Sequence, residues 1–252
     1  MTYLYPTTKV RVLAHRGLAL DAQGKELDEN TLDSFERAVQ VGADYIESDI
    51  QVTADGQAVL FHDDDLVRVA GIDAPIGSLS LSEVQAITLR HGAGIPTLKS
   101  ALEAFPNARF NLDFKVEGAI IPAAKVISEL NAQERILVAS FSEARRLAAS
   151  RLLPKSVSSA GSTRVLGAYL GVLLGLRSLS AWATKPVQVL QIPVGSGPIH
   201  FDNRRFIAAM KLANTEVHFW TINEPDEMVR LAGLGASGIV TDRADLALAT
   251  LR

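Results

Sequence analysis

Asp44-Tyr45-Ile46-Glu47-Ser48-Asp49-Ile50-Gln51-Val52 reads as a β-strand. Ile46, Ile50 and Val52 are β-branched, and the turn signal Ala54-Asp55-Gly56 follows. Strand side chains alternate between two faces, so Glu47 and Asp49 point the same way. Two carboxylates therefore lie side by side on one face of an otherwise apolar strand. Buried, unpaired carboxylates are costly, and such a pair calls for a cation, usually a hard metal with oxygen ligands. An isolated Glu-x-Asp would more simply be a salt-bridged pair at a strand end, so the reading rests on what surrounds it.

Beyond the Asp55-Gly56 turn, Ala58-Val59-Leu60-Phe61 forms a second arm ending in His62-Asp63. So short a turn forces an antiparallel hairpin and returns His62 toward the two carboxylates. Before it, strand Val10–Ala14 ends in His15-Arg16-Gly17, and Asn30 or Thr31 caps a helix over Leu32–Val41 that Gly42 stops. After it, residues 66–96 read as connecting structure, with a short helix over Leu81–Leu89 and another over about Lys99–Phe105. In strand Arg109–Lys115, Asn111, Asp113 and Lys115 share one face and Phe110, Leu112 and Phe114 the other. Strand and helix then alternate. Strands fall at 136–139, 156–159, 187–192, 216–221 and 238–241, and helices at 120–130, 143–150, 165–176, 203–213, 224–234 and 244–251. Setting the hairpin arm aside, eight strands, most followed by a helix, in 252 residues predict one closed (β/α)8 TIM barrel over residues 1–252, with a short β-hairpin excursion after strand 2. No Gly-x-Gly-x-x-Gly follows the first strand, which argues against the open doubly wound sheet.

Composition narrows the chemistry. The chain is 48% hydrophobic with a net charge of −3, and no basic run exceeds two residues, which argues against general nucleic-acid binding. Without cysteine there is no thiolate nucleophile or thiolate metal site. Met1–Lys9 is polar and lacks an apolar signal core, and the longest apolar run, Val165–Leu176, is too short to span a bilayer. The expectation is a cytoplasmic protein without a transmembrane segment. Its oligomeric state stays open, a homo-oligomer included.

In a barrel of this kind, chemistry sits at the C-terminal strand ends. There the sequence places His15 and Arg16, Glu47 and Asp49, Asp113 and Lys115, and Trp220, with His62 brought by the hairpin. Three carboxylates suit an oxygen site for Mg2+ or Ca2+. Arg16 and Lys115 suit a phosphate, and His15 and His62 titrate near neutrality as a general acid–base pair. Trp220 either packs over substrate or closes the barrel rim. Asn30 either touches phosphate or caps a helix. Asp63, Asp64 and Asp65 read as solvated loop, and His218 as a satisfied core histidine. The glycines at 167, 171 and 175 would permit close helix approach; a core-facing helix with an apolar neighbour is preferred over a subunit or lipid contact.

The set His15-Arg16-Gly17, Glu29-Asn30-Thr31, Glu47-x-Asp49, Thr53-x-Asp55-Gly56, His62-Asp63, Asp113-x-Lys115 and Trp220-Thr221-Ile222-Asn223 resembles the glycerophosphodiester phosphodiesterase family, in family order across nearly the whole chain. The resemblance implies a (β/α)8 barrel hydrolysing glycerophosphodiesters to glycerol 3-phosphate and an alcohol. It implies His15 and His62 as the catalytic pair, Glu47, Asp49 and Asp113 as holders of one divalent metal, and Arg16 and Lys115 as phosphate contacts. The third carboxylate is often Glu in the family, so Asp113 is one methylene shorter. Two alternatives stay open: a lysophospholipase D acting on lysolipids, and a non-catalytic phosphate-metabolite binder on the same scaffold.

Overall fold

A computed structural model describes residues 2–21 and 23–252; Met1, in the segment read above as a polar terminus, and Ala22 lie outside the described residues. Eight parallel strands form the barrel: β1 (Arg11–Ala14), β2 (Tyr45–Val52), β4 (Phe110–Phe114), β5 (Ile136–Ala139), β6 (Val157–Ser158), β7 (Val189–Ile192), β8 (Glu216–Phe219) and β9 (Gly238–Thr241). Hydrogen bonding runs β6-β5-β4-β2-β1-β9-β8-β7, which is sequence order around a ring. A parallel bridge between Ser159 and Val189 joins its two ends. The expected closed barrel is therefore found.

The alternation of strand side chains separates two layers. Ile46, Ile50, Phe110, Leu112 and Phe114 pack outward in one cluster with helix residues such as Phe35, Leu102 and Ile127. Leu13, Tyr45, Leu137, Val189 and Val240 fill the interior in a second cluster with Tyr3. The helices are α1 (Leu32–Val41), α2 (Leu98–Ala104), α3 (Ile120–Glu129), α4 (Glu143–Leu152), α5 (Ser162–Leu173), α6 (Arg177–Thr184), α7 (Arg204–Leu212), α8 (Pro225–Leu234) and α9 (Ala244–Leu251). Thr31, not Asn30, caps α1, accepting from Ser34 N, and Gly42 ends it in the left-handed conformation.

The hairpin arm β3 (Ala58–Leu60) pairs antiparallel with β2, Val52 opposite Ala58. The excursion beyond it holds more structure than the sequence suggested: a small hairpin of Asp65–Leu66 with Ile72–Pro75, a turn of helix at Val67–Ala70, and a helix that ends at Gln85 instead of Leu89. Asp28 ties it to the barrel, its carboxylate accepting from the backbone N–H of His91 and Ala93.

The single helix expected over 165–176 is instead a pair. α5 stops at Leu173, Gly175 follows with φ +70°, and α6 folds back on it. A side chain on Gly171 would lie 2.6 Å from the Ser180 backbone nitrogen, and one on Gly167 3.0 Å from the Trp182 ring. The glycine spacing thus serves a close contact inside the chain. A further small hairpin, Gly195–Ser196 with Ile199–His200, follows β7 in sequence that read as loop.

Candidate active site

The lower end of the barrel is sealed. Tyr3 packs on Tyr45 at 4.5 Å between ring centres with the rings tilted by 39°, and Arg11 grips Glu216 through two hydrogen bonds of 2.8 and 2.9 Å. His218, fully buried, bonds through Nε2 to Glu216 at 2.9 Å while its Nδ1 has no partner among the described residues, so it is the expected core histidine but only half satisfied.

The upper end opens into a cavity of about 580 Å3. Eight of the nine sequence-assigned residues line it: His15, Arg16, Glu47, Asp49, His62, Asp113, Lys115 and Trp220. Register explains the convergence, since Glu47 pairs with Asn111 and Asp49 with Asp113 across β2 and β4. Asn30 is the exception. It is buried, its amide donates to Asp49 at 3.0 Å and accepts from Ser48 at 2.6 Å, and it holds a carboxylate in place without lining the cavity.

The loop after β1 is set by Gly17. Its φ is +81°, and a side chain there would meet Ser34 Oγ at 2.4 Å, so only glycine fits. This turn directs the Arg16 backbone N–H to Glu47 at 3.0 Å and its guanidinium to Glu29 at 2.9 Å and Asp49 at 3.5 Å.

Each histidine has an orienting carboxylate that sequence reading missed. His15 Nδ1 lies 2.6 Å from Asp242, whose other oxygen accepts from Asn223 at 2.7 Å. His62 Nδ1 lies 2.7 Å from Asp63, itself held by Arg68 at 2.7 Å. Asp63 is therefore part of the site, which corrects its reading as solvated loop. Both aspartates have pKa values lowered against the opposing effect of burial, Asp63 by Arg68 and His62, Asp242 chiefly by His15. An ionised carboxylate can only accept, so Nδ1 of each ring carries the proton and Nε2 is left for chemistry. Burial disfavours the charged His15 ring, yet the Asp242 hydrogen bond and the Glu47 charge outweigh it and raise its pKa. The available signals were slight: an Asp directly after His62, and a polar Thr241-Asp242 closing the last strand.

Charge in the cavity is unevenly compensated. Lys115 Nζ sits 2.8 Å from both Asp49 and Asp113 and is held charged by them despite burial. Asp49, although buried, is kept ionised by Lys115 and Arg16. Asp113 is pushed up by burial, and Glu47 is pushed up to about 7 by burial and by Asp49. Asp113 Oδ1 and Asn111 Oδ1 are buried without a hydrogen-bond partner. Three buried carboxylates, two of them resisting ionisation, and two orphaned oxygens suit a hard divalent cation. Among the described residues, however, no three acidic or histidine side chains are already gathered around one point, because Lys115 stands between Asp49 and Asp113.

The opposite wall is apolar. Val165 and Leu166 of α5 join Ile192, Ile199 and Phe201. Trp220 stands edge-on to Phe141 at 5.8 Å, so the rim carries two aromatic rings, one of which the sequence reading had not singled out.

A profile of the glycerophosphoryl diester phosphodiesterase family matches residues 15–246. A probable glycerophosphodiester phosphodiesterase 2 of Mycobacterium tuberculosis is 37% identical over 235 residues, covering 93% of this chain and 88% of its own length. A human lysophospholipase D is 27% identical, covering 96% of this chain and 87% of its own length. Among solved structures, a glycerophosphodiester phosphodiesterase of Agrobacterium tumefaciens superposes with a TM-score of 0.78 at 24% identity, covering 96% of this chain and 98% of that one. A phosphodiesterase of Oleispira antarctica, solved in complex with the product sn-glycerol-3-phosphate, gives 0.77 at 24% identity and 96% coverage of both. These two structures speak to the fold; the profile and the Mycobacterium relative speak to descent. This chain belongs to the glycerophosphoryl diester phosphodiesterase family and is a phosphodiester-hydrolysing enzyme.

Proposed function

We propose that the enzyme hydrolyses glycerophosphodiesters to sn-glycerol 3-phosphate and an alcohol, with His15 and His62 as its acid–base pair. The observation that carries this reading is the matched pair of Asp-oriented histidines lining one cavity with Arg16, Lys115 and three carboxylates. The product complex of the Oleispira antarctica phosphodiesterase supports it.

The steps follow from what each residue holds. Arg16 and Lys115 receive the phosphate. His15, whose pKa is raised against the effect of burial, serves as the acid and gives its proton to the departing alcohol. His62 Nε2 takes the proton from the glycerol hydroxyl beside the phosphate, whose oxygen then attacks phosphorus. The resulting cyclic phosphate is opened by water with the histidine roles reversed. Glu47, Asp49 and Asp113 would hold one divalent cation, Mg2+ or Ca2+, which when bound offsets charge developing on the phosphoryl oxygens. Trp220 and Phe141 would bracket the organic part of the substrate.

A second reading keeps this chemistry and takes lysolipids as substrate. The apolar wall of Val165, Leu166, Ile199 and Phe201 favours it, as does the similarity to a human lysophospholipase D.

The test is release of glycerol 3-phosphate from glycerophosphocholine and glycerophosphoethanolamine by metal-stripped protein, with and without Mg2+ or Ca2+. Release is expected only with a cation, and His15→Ala and His62→Ala should each lower it by about 100- to 10,000-fold. An analogue lacking the free hydroxyl beside the phosphate should not turn over. Release unaffected by either substitution would overturn the pairing, and turnover of the analogue would overturn the cyclic route. Turnover confined to lysophosphatidylcholine would select the second reading.

A further inference from the structure

The pair α5 and α6 has a second face that the barrel does not use. Gly167 and Gly171 turn toward α6, and Val165 and Ala168 are buried toward the barrel. Leu166, Leu170 and Leu173, with Leu174 beside them, recur at the spacing of a single outward stripe. Leu173 is 54% exposed, Leu174 63%, and Leu176 in the connecting turn 47%. Trp182 of α6 is half exposed on the same hairpin, its ring against Gly167 and Arg164. The stripe begins at Leu166, which lines the cavity, and at 1.5 Å per residue runs about 12 Å to Leu174.

Charge is distributed with equal asymmetry. The 58 residues from Ala144 to Phe201 contain seven Arg or Lys and no Asp or Glu; the other 18 cations share the rest of the chain with all 28 acids. Four of the seven, Arg151, Lys155, Arg177 and Lys185, are exposed, and the last two belong to α6 and its end. A twofold self-contact would set these cations against their own copies with no acid from this stretch to meet them. Exposed leucines and a tryptophan flanked by cations match instead the composition of helices that lie on anionic membranes. No helix among the described residues is long and apolar enough to cross a membrane, so the contact would be at the surface.

We propose that the α5–α6 hairpin is a docking element for an anionic lipid bilayer surface, seating Leu173, Leu174, Leu176 and Trp182 at the interface with Arg177 and Lys185 against the headgroups. The proposal goes beyond the reaction and holds whichever diester is hydrolysed.

The test is co-sedimentation with phosphatidylcholine vesicles, with and without phosphatidylglycerol, together with Trp182 emission in a Trp220→Phe background. Binding is expected only to the phosphatidylglycerol vesicles, with a blue shift of emission and weakening by added salt. Arg177→Glu with Lys185→Glu should lower vesicle affinity by about tenfold or more. Leu173→Ser with Leu174→Ser should abolish the blue shift. Made in the chain that retains Trp220, both variants should keep their circular dichroism and their turnover of a water-soluble diester. No binding, or equal binding to neutral vesicles, would overturn the proposal. So would a wild-type dimer that the leucine variant dissociates, which would assign the face to a second copy.

Discussion

Two glutamates point into the same barrel from opposite ends, and their environments differ in one respect. Glu216 at the lower end faces Arg11 and His218; burial alone would raise its pKa, but their hydrogen bonds and charges hold it down to about 2. Glu47 at the upper end is buried beside Asp49, with no cation bonded to it, and is pushed up to about 7. In the lower cluster the carboxylate charge is matched by its neighbours, and the cluster closes the fold. The upper cluster has more negative charge than its own cations satisfy, and that deficit is what a divalent ion and a phosphate-bearing substrate would exploit.

The largest way to break this contrast is at the lower end. Glu216→Gln leaves Arg11 buried without its partner and should cost about 3–5 kcal/mol. Thermal unfolding should show a fall of roughly 10 °C for a chain of this size. The sign of its pH dependence follows from the depressed carboxyl: the stabilisation is present above about 4.5 and is lost as pH falls toward about 2. Acid unfolding of the variant should therefore lack that limb. At the upper end, Asp242→Asn removes the carboxylate charge that, with its hydrogen bond, raises His15. Turnover should fall about 10- to 100-fold, and the alkaline limb of its pH profile should move to lower pH, while the melting temperature changes little. An unmoved limb would mean that Asp242 only packs. The smallest effect is expected at Arg68, half exposed and bonded to both Asp63 and Glu29. Arg68→Ala loosens the carboxylate behind His62, and a severalfold loss of kcat with unchanged stability is expected.

The barrel was legible because its signals are local. Alternation in Phe110–Phe114 and helical spacing in Leu32–Val41 each reveal themselves within one element. The carboxylates and histidines were legible because they stand at strand ends. What escaped depends on closure. Asp242 reaches His15 only because the last strand pairs with the first, and Arg68 reaches Glu29 only after the excursion folds across the rim. Asn30 looked like a cap or a phosphate contact because its neighbour Thr31 is the cap; its role follows from Asp49, which sequence cannot place beside it. The break between α5 and α6 was hidden in a continuous apolar run, where Gly175 was the one mark of a turn.

The most direct measurement is a paired melt and turnover assay of Glu47→Gln at pH 8, without and with Mg2+ or Ca2+. Above about 7 the wild-type carboxyl is ionised against its surroundings, at a cost of about 3 kcal/mol that is relieved as pH falls toward 4.5. The amide carries no such cost. Without metal, the variant should melt at or above wild type; with metal, wild type should gain stability that the variant does not, and only wild type should turn over. A variant that melts several degrees lower without metal, or one that keeps wild-type turnover, would contradict the account, because Glu47 would then be a structural partner like Glu216.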